Sequence, residues 1–301
     1  MAKRSLQEAQ ESVPEAGTAM ELSSADSADS DSDEEMKDLV NIDFEFFDPK
    51  EADFHAIKRL LAQLFGEDSE QMELSGLADL VIGQPLVGTC VKIENEGDPY
   101  ALLTVLNLNH HGEHPAIVKL VRYLRGKVNA DSAASARLEA LLAPGAVSST
   151  GWVISERLLN MPPQIAPPMF RMLAEEVQWA VEDKEPYDFN HYIVLSKTYY
   201  QVDSTLDAEE NETAPPRAGK AAAAGRKKGK FNETLLYVQP EEELLERFSE
   251  FHVDFKPKNT AVSDSRRVFT DFGVVPARRC HVLTREKMVA FISELEPYVR
   301  S

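Results

Sequence analysis

Four prolines in one short stretch constrain the fold of this chain more than any other feature of its sequence. Pro162-Pro163 and Pro167-Pro168 fix φ at four positions and remove four backbone donors. We therefore predict that residues 161–166 form neither a sheet ladder nor a helix. Pro168 suits the first position of a helix, where its missing N–H would have no partner. A β-prone apolar run upstream, before a polar turn, predicts a buried strand. The run is Trp152, Val153 and Ile154, and the turn opens at Asn160.

The helix after Pro168 is predicted to bury one face, because apolar residues recur in it at helical spacing. These residues are Met169, Met172, Leu173, Val177 and Val181. Two interpretations of the prolines stay open. They form a rigid connection between strand and helix, or they present a preformed recognition surface on a rigid scaffold. On the second interpretation, the predicted partner contacts are Glu156, Arg157, Asn160 and Gln164. On either interpretation, Trp152 and Ile154 are predicted to lie in the core.

The order of elements predicts a mixed α/β fold of the α+β kind. Hydrophobic residues make up 43% of 301, enough for a substantial core. Strands are predicted over residues 41–48, 87–93, 100–108, 190–202, 231–238, 248–255 and 274–283, the last interrupted by Pro276 and Arg278-Arg279. Helices are predicted over residues 53–65, 74–82, 115–123 and 133–142, and from residues 169, 240 and 284 onward. Hairpins outnumber βαβ units, so the central sheet should be mainly antiparallel with helices on its faces.

The first 38 residues differ from the rest in composition. Residues 1–38 are rich in Ser, Ala, Asp and Glu and have almost no large apolar residues, so we predict a disordered acidic tail. Residues 39–301 are predicted to form a single folded domain. The tail is interpreted either as a solvated solubilising segment or as an electrostatic attractant for a basic partner. The residues predicted to contact that partner are Asp29, Asp31, Asp33, Glu34 and Glu35.

A second stretch, residues 204–230, breaks the pattern inside the predicted domain. It is acidic, then rich in Ala, Gly and Pro, then basic, which predicts a flexible insertion. Its basic end matches a short nuclear-import pattern. The predicted import residues are Arg226, Lys227, Lys228 and Lys230.

The charge balance limits the classes of partner. A formal net charge of −19 argues against a general nucleic-acid binder, whose footprint is basic, and favours basic proteins. The sequence contains neither a long apolar run nor a secretory signal, so no membrane association is expected. The two cysteines, Cys90 and Cys280, lie in apolar β-prone runs and are predicted to be buried thiols in a reducing compartment.

Several motifs together resemble the BCCIP family. The most specific is SERLLNMPPQIAPPMF at residues 155–170, and the resemblance covers most of the chain from about residue 39. Weaker matches are VNIDFEFFDP, GTCVK, LLTVLNL and YIVLSKTY, in that order along the chain. The resemblance implies a fold similar to that of Gcn-type N-acetyltransferases and a location in the nucleus, with shuttling to the cytoplasm left open. It also implies a nuclear escort that shields a basic large-subunit ribosomal protein and takes part in nuclear protein export. The alternative is a scaffold for nuclear transport, cell-cycle or DNA-repair partners.

The implied fold raises an enzyme hypothesis that the residues do not support. Gcn-type enzymes hold the coenzyme pyrophosphate on a glycine-rich loop that opens a helix. The nearest approach, RYLRGK at residues 122–127, has one glycine and lies at a predicted helix end. Glu156, Cys90 and Tyr199 have reactive side chains, but nothing in the sequence pairs them. Three close histidines, His110, His111 and His114, are too few for a closed zinc site. We therefore predict no catalytic residues, no cofactor and no metal.

Overall fold

The computed structural model describes residues 43–84, 86–127, 133–143, 145–146, 149–201, 234–257 and 274–301. These residues belong to one compact unit, Ile42–Ser301. Its centre is an eight-stranded sheet. The strands are β1 (Glu45–Phe47), β2 (Thr89–Lys92), β3 (Ala101–Asn107), β4 (Thr150–Arg157), β5 (His191–Gln201), β6 (Thr234–Tyr237), β7 (Phe251–Phe255) and β8 (Val274–Thr284). They lie in the order β1-β2-β3-β4-β5-β8-β7, and β6 pairs with β5.

Helices cover both faces of the sheet. They are α1 (Phe54–Phe65), α2 (Leu74–Gly83), α3 (Pro115–Lys127), α4 (Ala133–Leu141), α5 (Ala166–Glu182), α6 (Leu244–Phe248) and α7 (Arg285–Arg300). Buried side chains of α1 to α4 form one core cluster with Trp152 and Ile154 of β4. Buried side chains of α5 to α7 form the other cluster with Val153 of the same strand. Successive residues of a strand point to opposite faces, so the apolar run in β4 supplies both cores.

The fold class predicted from the sequence is confirmed. Among the described strands, β4 and β5 form the parallel pair, and every other pairing is antiparallel. The predicted hairpin is β2–β3, and the predicted first helix ends at Gly66 with a φ of 59°. Thr284 caps α7 by accepting a hydrogen bond from the Lys287 backbone nitrogen. Cys90 and Cys280 are free and buried.

The proline segment, which we define as residues 161–168, is more helical than predicted. Pro163–Ile165 form a 3₁₀ turn, and α5 begins at Ala166 rather than at Pro168. The prediction that residues 161–166 exclude a helix was therefore wrong. In the first turn of a helix the backbone N–H groups have no partner within the helix, so prolines there cost no hydrogen bond.

Two further details of the prediction need correction. The buried face of α5 consists of Ala166, Pro167, Met169, Phe170, Leu173, Glu176 and Ala180, whereas Val181 is exposed. Strand β8 is continuous through Pro276 and the two arginines. Pro276 pairs with β5 on one side of β8, whereas β7 on the other side pairs only with residues 278–282. Among the described strands, Pro276 therefore has a neighbour on one side only, which is where a strand tolerates proline.

Some predictions fall outside the described residues. They include the acidic tail at residues 1–38 and the insertion at residues 204–230. Among the described helices, none is both long enough and apolar enough to cross a membrane.

Candidate functional site

The parallel pair in the sheet separates halfway along its length. Residues 150–153 of β4 pair with residues 191–194 of β5, and beyond that point the two strands have different neighbours. β4 continues beside β3, while the end of β5 pairs with β6. A 3₁₀ turn at Pro240–Glu243 follows β6, and its Glu241 binds Arg157 of β4. Just before this turn, the Val238 backbone nitrogen donates to the Lys197 carbonyl of β5. The gap between β4 and β5 is therefore the place where an internal site can form.

Six polar side chains from these elements make one buried group, which we call the charge cluster. Its members are Glu156, Arg157, Lys197, Gln239, Glu241 and Glu242. Arg157 binds Glu241 through two nitrogens, with Nη2 to Oε2 at 2.9 Å, and donates to Gln239 Oε1 at 3.0 Å. Paired N–H donors on one carboxylate give the strongest ion-pair geometry available to arginine. Arg157 thus ties the end of β4 to the turn after β6.

Glu156 connects the cluster to β5 and to α1. Its Oε1 accepts from Lys197 Nζ at 2.7 Å, from Gln63 Nε2 at 2.8 Å and from Gln239 Nε2 at 3.2 Å. The other oxygen, Oε2, is buried without a hydrogen-bond partner among the described residues, as is Oε2 of Glu242. An unpaired buried acceptor costs stability, so these two oxygens are the weak points of the cluster.

Glu242 is the third carboxyl group of the charge cluster. Burial raises its pKa well above the usual value for glutamate, and the Glu241 and Glu156 carboxylates raise it further. Lys197 and Arg157 act on this pKa in the opposite direction. The raised pKa favours the neutral form of Glu242, which lowers the cost of burying three carboxyl groups together.

The structure divides the four partner contacts predicted in the folded domain into two kinds. Glu156 is 2% exposed and Arg157 is 8% exposed, and both are paired inside the protein. The prediction that these two side chains contact a partner is corrected, because they already serve the charge cluster. Asn160 and Gln164 are exposed, and Leu159 beside them is 80% exposed. The predicted contacts in the tail and the predicted import residues lie outside the described residues.

A shallow cleft of about 230 Å³, open solvent included, lies next to the charge cluster. Its walls are β3, the end of β4 and the first turn of α5, and they include Leu103, Ser155, Ile165, Met169 and Phe170. Glu156, Arg157 and Gln239 complete the lining. The cleft thus joins the proline segment to the charge cluster.

The first turn of α5 is poorly suited to hold a phosphate group. Anion sites at helix starts need free backbone N–H groups. Here Pro167 and Pro168 have none, and the N–H groups of Ile165 and Ala166 donate to the carbonyls of Pro162 and Pro163. The charged residues that line the cleft are Glu156 and Arg157, so its described lining has no excess of positive charge to attract an anion. The arrangement disfavours a coenzyme pyrophosphate at this helix.

The residues with reactive side chains do not form a catalytic group in the described part of the chain. Cys90 is buried, and burial raises the pKa of its thiol, which disfavours the thiolate. In the part of the chain that the structure describes, no group of three or more His, Cys, Asp or Glu residues is placed to hold a metal ion. His114 Nδ1 accepts a hydrogen bond from the Ala116 backbone at the start of α3.

A row of three hydrogen-bonded side chains, Ser249, His281 and Tyr237, was not predicted from the sequence. Ser249 Oγ lies 2.7 Å from His281 Nδ1, and Tyr237 Oη lies 3.2 Å from His281 Nε2. The arrangement superficially suggests a serine nucleophile with its base. However, Ser249 Oγ also donates to the Leu245 carbonyl at 2.7 Å, and His281 is fully buried. Burial holds the pKa of His281 well below its usual value. These contacts fix α6 onto β8.

Helices pack on both faces of the central sheet, so the chain is a mixed α/β protein. The buried charges at the centre of the sheet are paired with one another inside the protein. The BCCIP family model matches residues 39–245. A protein named bcp1 from Aspergillus fumigatus is 42% identical over 275 residues, 90% of this chain and 91% of its own length. Its namesake from Schizosaccharomyces pombe is 40% identical over 261 residues, 86% of this chain and 90% of its own. The chain belongs to the BCCIP family, as its proline motif predicted.

A solved structure agrees with the fold. The crystal structure of BCP1 from Saccharomyces cerevisiae matches with a TM-score of 0.58 and 25% identity, covering 88% of this chain and 94% of that one. The expected likeness to Gcn-type N-acetyltransferases is not confirmed by these comparisons. The matched relatives are named as proteins rather than as enzymes.

Proposed function

We propose that this chain is a non-enzymatic nuclear binding protein that escorts a basic ribosomal protein of the large subunit and takes part in nuclear protein export. The observation that carries the proposal is membership of the BCCIP family together with a net charge of −19. A free ribosomal protein has dense Lys and Arg side chains meant for RNA phosphates. An acidic partner occupies those cations without sequence-specific contacts.

The proline motif at residues 155–170 has a structural part, because two of its residues belong to the charge cluster. Glu156 and Arg157 hold the sheet together, so the proline motif offers a partner only its exposed side chains. Leu159, Asn160 and Gln164 form that exposed rim. A small apolar and polar rim on a rigid loop is typical of a site that binds protein rather than nucleic acid.

Affinity purification at two salt concentrations tests the proposal. At low salt, we expect one basic large-subunit ribosomal protein to co-purify in a near-stoichiometric amount. Raising the salt should weaken its retention, because screening acts on exposed charges over about 8 Å at physiological ionic strength. Recovery of many transport, cell-cycle and repair proteins without a ribosomal protein would instead favour a scaffold.

Nuclear location is a separate part of the proposal and has its own test. Replacing Arg226, Lys227, Lys228 and Lys230 by Ala should reduce nuclear accumulation of a fluorescent fusion. A matched control replaces four exposed basic residues of the folded unit: Arg59, Lys119, Arg171 and Arg300. An unchanged nuclear signal in the first variant would contradict the predicted import segment.

A further inference from the structure

The two tryptophans of the chain have different environments. Trp152 is fully buried, whereas Trp179 on α5 is 46% exposed. Tryptophan is costly to leave in water and is among the residues that most often anchor a binding partner. The outer face of α5 near its end is therefore a candidate contact surface.

Carboxylates surround Trp179 on the same face of the helix. Glu175 lies four positions before it, Glu182 three positions after it and Asp183 four positions after it, which places all three beside the ring. All three are exposed, and none forms an ion pair with a Lys or Arg of the described residues. In contrast, Arg171 near the start of α5 pairs with Glu296 of α7. Lys184, which follows Asp183 at this end of the helix, is exposed and forms no ion pair with these carboxylates among the described residues.

The position of two of these carboxylates is unfavourable for the helix itself. Glu182 is the last residue of α5 and Asp183 is its C-cap, where the helix dipole has its negative end. Negative side chains there destabilise a helix, because they lie beside charge of the same sign. A cation supplied from outside relieves both the dipole and the mutual repulsion of the carboxylates.

We propose that this surface, formed by Trp179, Glu175, Glu182 and Asp183, docks an arginine- or lysine-rich segment of a protein partner. The inference rests on the proposed function, because it locates the contact for a basic client. A guanidinium or ammonium group lies over the indole ring, and the carboxylates bind the flanking cations. A second copy of this chain is disfavoured as the occupant by its net charge of −19, and nucleic acid is disfavoured by the carboxylates.

Two variants and two matched controls test the surface in the full chain. The variants are Trp179→Ala and the triple Glu175→Gln, Glu182→Gln, Asp183→Asn. The apolar control is Val289→Ala, which changes a residue of α7 that is 61% exposed. The charge control is Glu51→Gln, Glu94→Gln, Glu96→Gln, which removes three exposed carboxylates elsewhere. Circular dichroism spectra and thermal unfolding of each variant check that the fold is retained.

The probes are a twelve-residue peptide of alternating Arg and Gly and a purified basic large-subunit ribosomal protein. We expect each test variant to weaken binding about tenfold or more, and each control to change it less than about twofold. Wild-type indole fluorescence should change with peptide, and acrylamide quenching should fall. Trp179→Phe should abolish both signals, because Trp152 is buried.

The outcomes separate this inference from the proposed function. If the wild type binds the ribosomal protein and the test variants bind it as tightly as the controls, the surface is wrong and the escort function stands. If the wild type binds no ribosomal protein, the escort function fails, and peptide binding at Trp179 still decides the surface. If alanine at the four predicted import residues raises quenching of Trp179 without any partner, the chain covers its own surface and the inference is overturned.

Discussion

At the scale of single residues, neighbours in the proline motif have opposite environments. The interpretation of the prolines as a recognition surface predicts Glu156 and Arg157 as partner contacts. In the structure, β4 continues through both, and each is buried against an oppositely charged partner. Gln164, only seven positions after Arg157, is exposed. No periodicity within the motif distinguishes these cases, because the partners Lys197 and Glu241 are distant in sequence.

The contrast between Ile154 and Gln164 gives a direct stability prediction. Ile154 is fully buried in the core that β4 shares with α1. Ile154→Ala should lower the free energy of unfolding by about 3 kcal/mol or more, because it leaves a cavity. Gln164→Ala should change it by less than about 0.5 kcal/mol, as for other surface positions. Urea unfolding of both variants measures the difference, and equal losses would show that the proline segment is core.

Glu176 gives a pH prediction. It lies on the buried face of α5 and accepts a hydrogen bond from the Gly88 backbone at 2.9 Å. Burial raises its pKa from 4.5 to about 7, with the Asp48 and Glu175 carboxylates adding to the effect. The pKa of Glu176 is higher in the folded state than in the unfolded state. Its contribution to the free energy of unfolding is therefore fully present below about pH 4.5 and is lost as the pH rises through about 7.

The matching variant is Glu176→Gln, which keeps the shape and an acceptor for Gly88 but cannot ionise. The free energy of unfolding of the variant should rise relative to that of the wild type as the pH increases from about 4.5 to 7. The difference should grow by at most about 1.4 kcal/mol per pH unit. Urea unfolding at several pH values gives the two profiles. Glu96→Gln, which removes an exposed carboxylate elsewhere in the folded unit, serves as the control. Parallel profiles for wild type and Glu176→Gln would contradict the raised pKa.

At the scale of elements, the sequence predicted most helices and strands and missed how two of them are joined. Periodicity located α1 and α7 closely, because each has one apolar face against a core. It did not predict that the turn after β6 enters the gap between β4 and β5. That turn reads as a run of glutamates, which usually indicates a solvated helix start. Glu241 and Glu242 are buried instead, because Arg157 and Lys197 were brought there by other strands.

The pairing of Arg157 with Glu241 should hold the turn in place. Arg157→Met and Glu241→Met should each cost about 3–5 kcal/mol, because each leaves part of a buried pair without its partner. The double variant Arg157→Met, Glu241→Met should recover much of the loss, since two apolar side chains replace two charges. A thermodynamic cycle from urea unfolding measures the coupling. Additive losses in the double variant would mean that the two side chains act independently.

At the scale of the whole molecule, acidity is shared between the tail and the folded unit. Residues 1–38 have eleven acidic and three basic side chains, which leaves more than half of the net charge of −19 on the remaining residues. The folded unit therefore has a negative field of its own. Exposed ion pairs contribute only about 0–1 kcal/mol each, so a charged tail by itself gives loose binding. The specific contact with a client belongs to the folded unit on this argument.

Deleting residues 1–38 should accordingly change how fast the client binds more than whether it binds. Long-range attraction by a charged segment raises the association rate and is screened by salt. We expect the shortened chain to stay folded and to bind a basic ribosomal protein with an association rate several-fold lower. Its rate should also depend less steeply on salt than the rate of the full chain. Stopped-flow binding at several salt concentrations compares the two. Complete loss of binding would place the specific contact in the tail, with the folded unit acting only as its carrier.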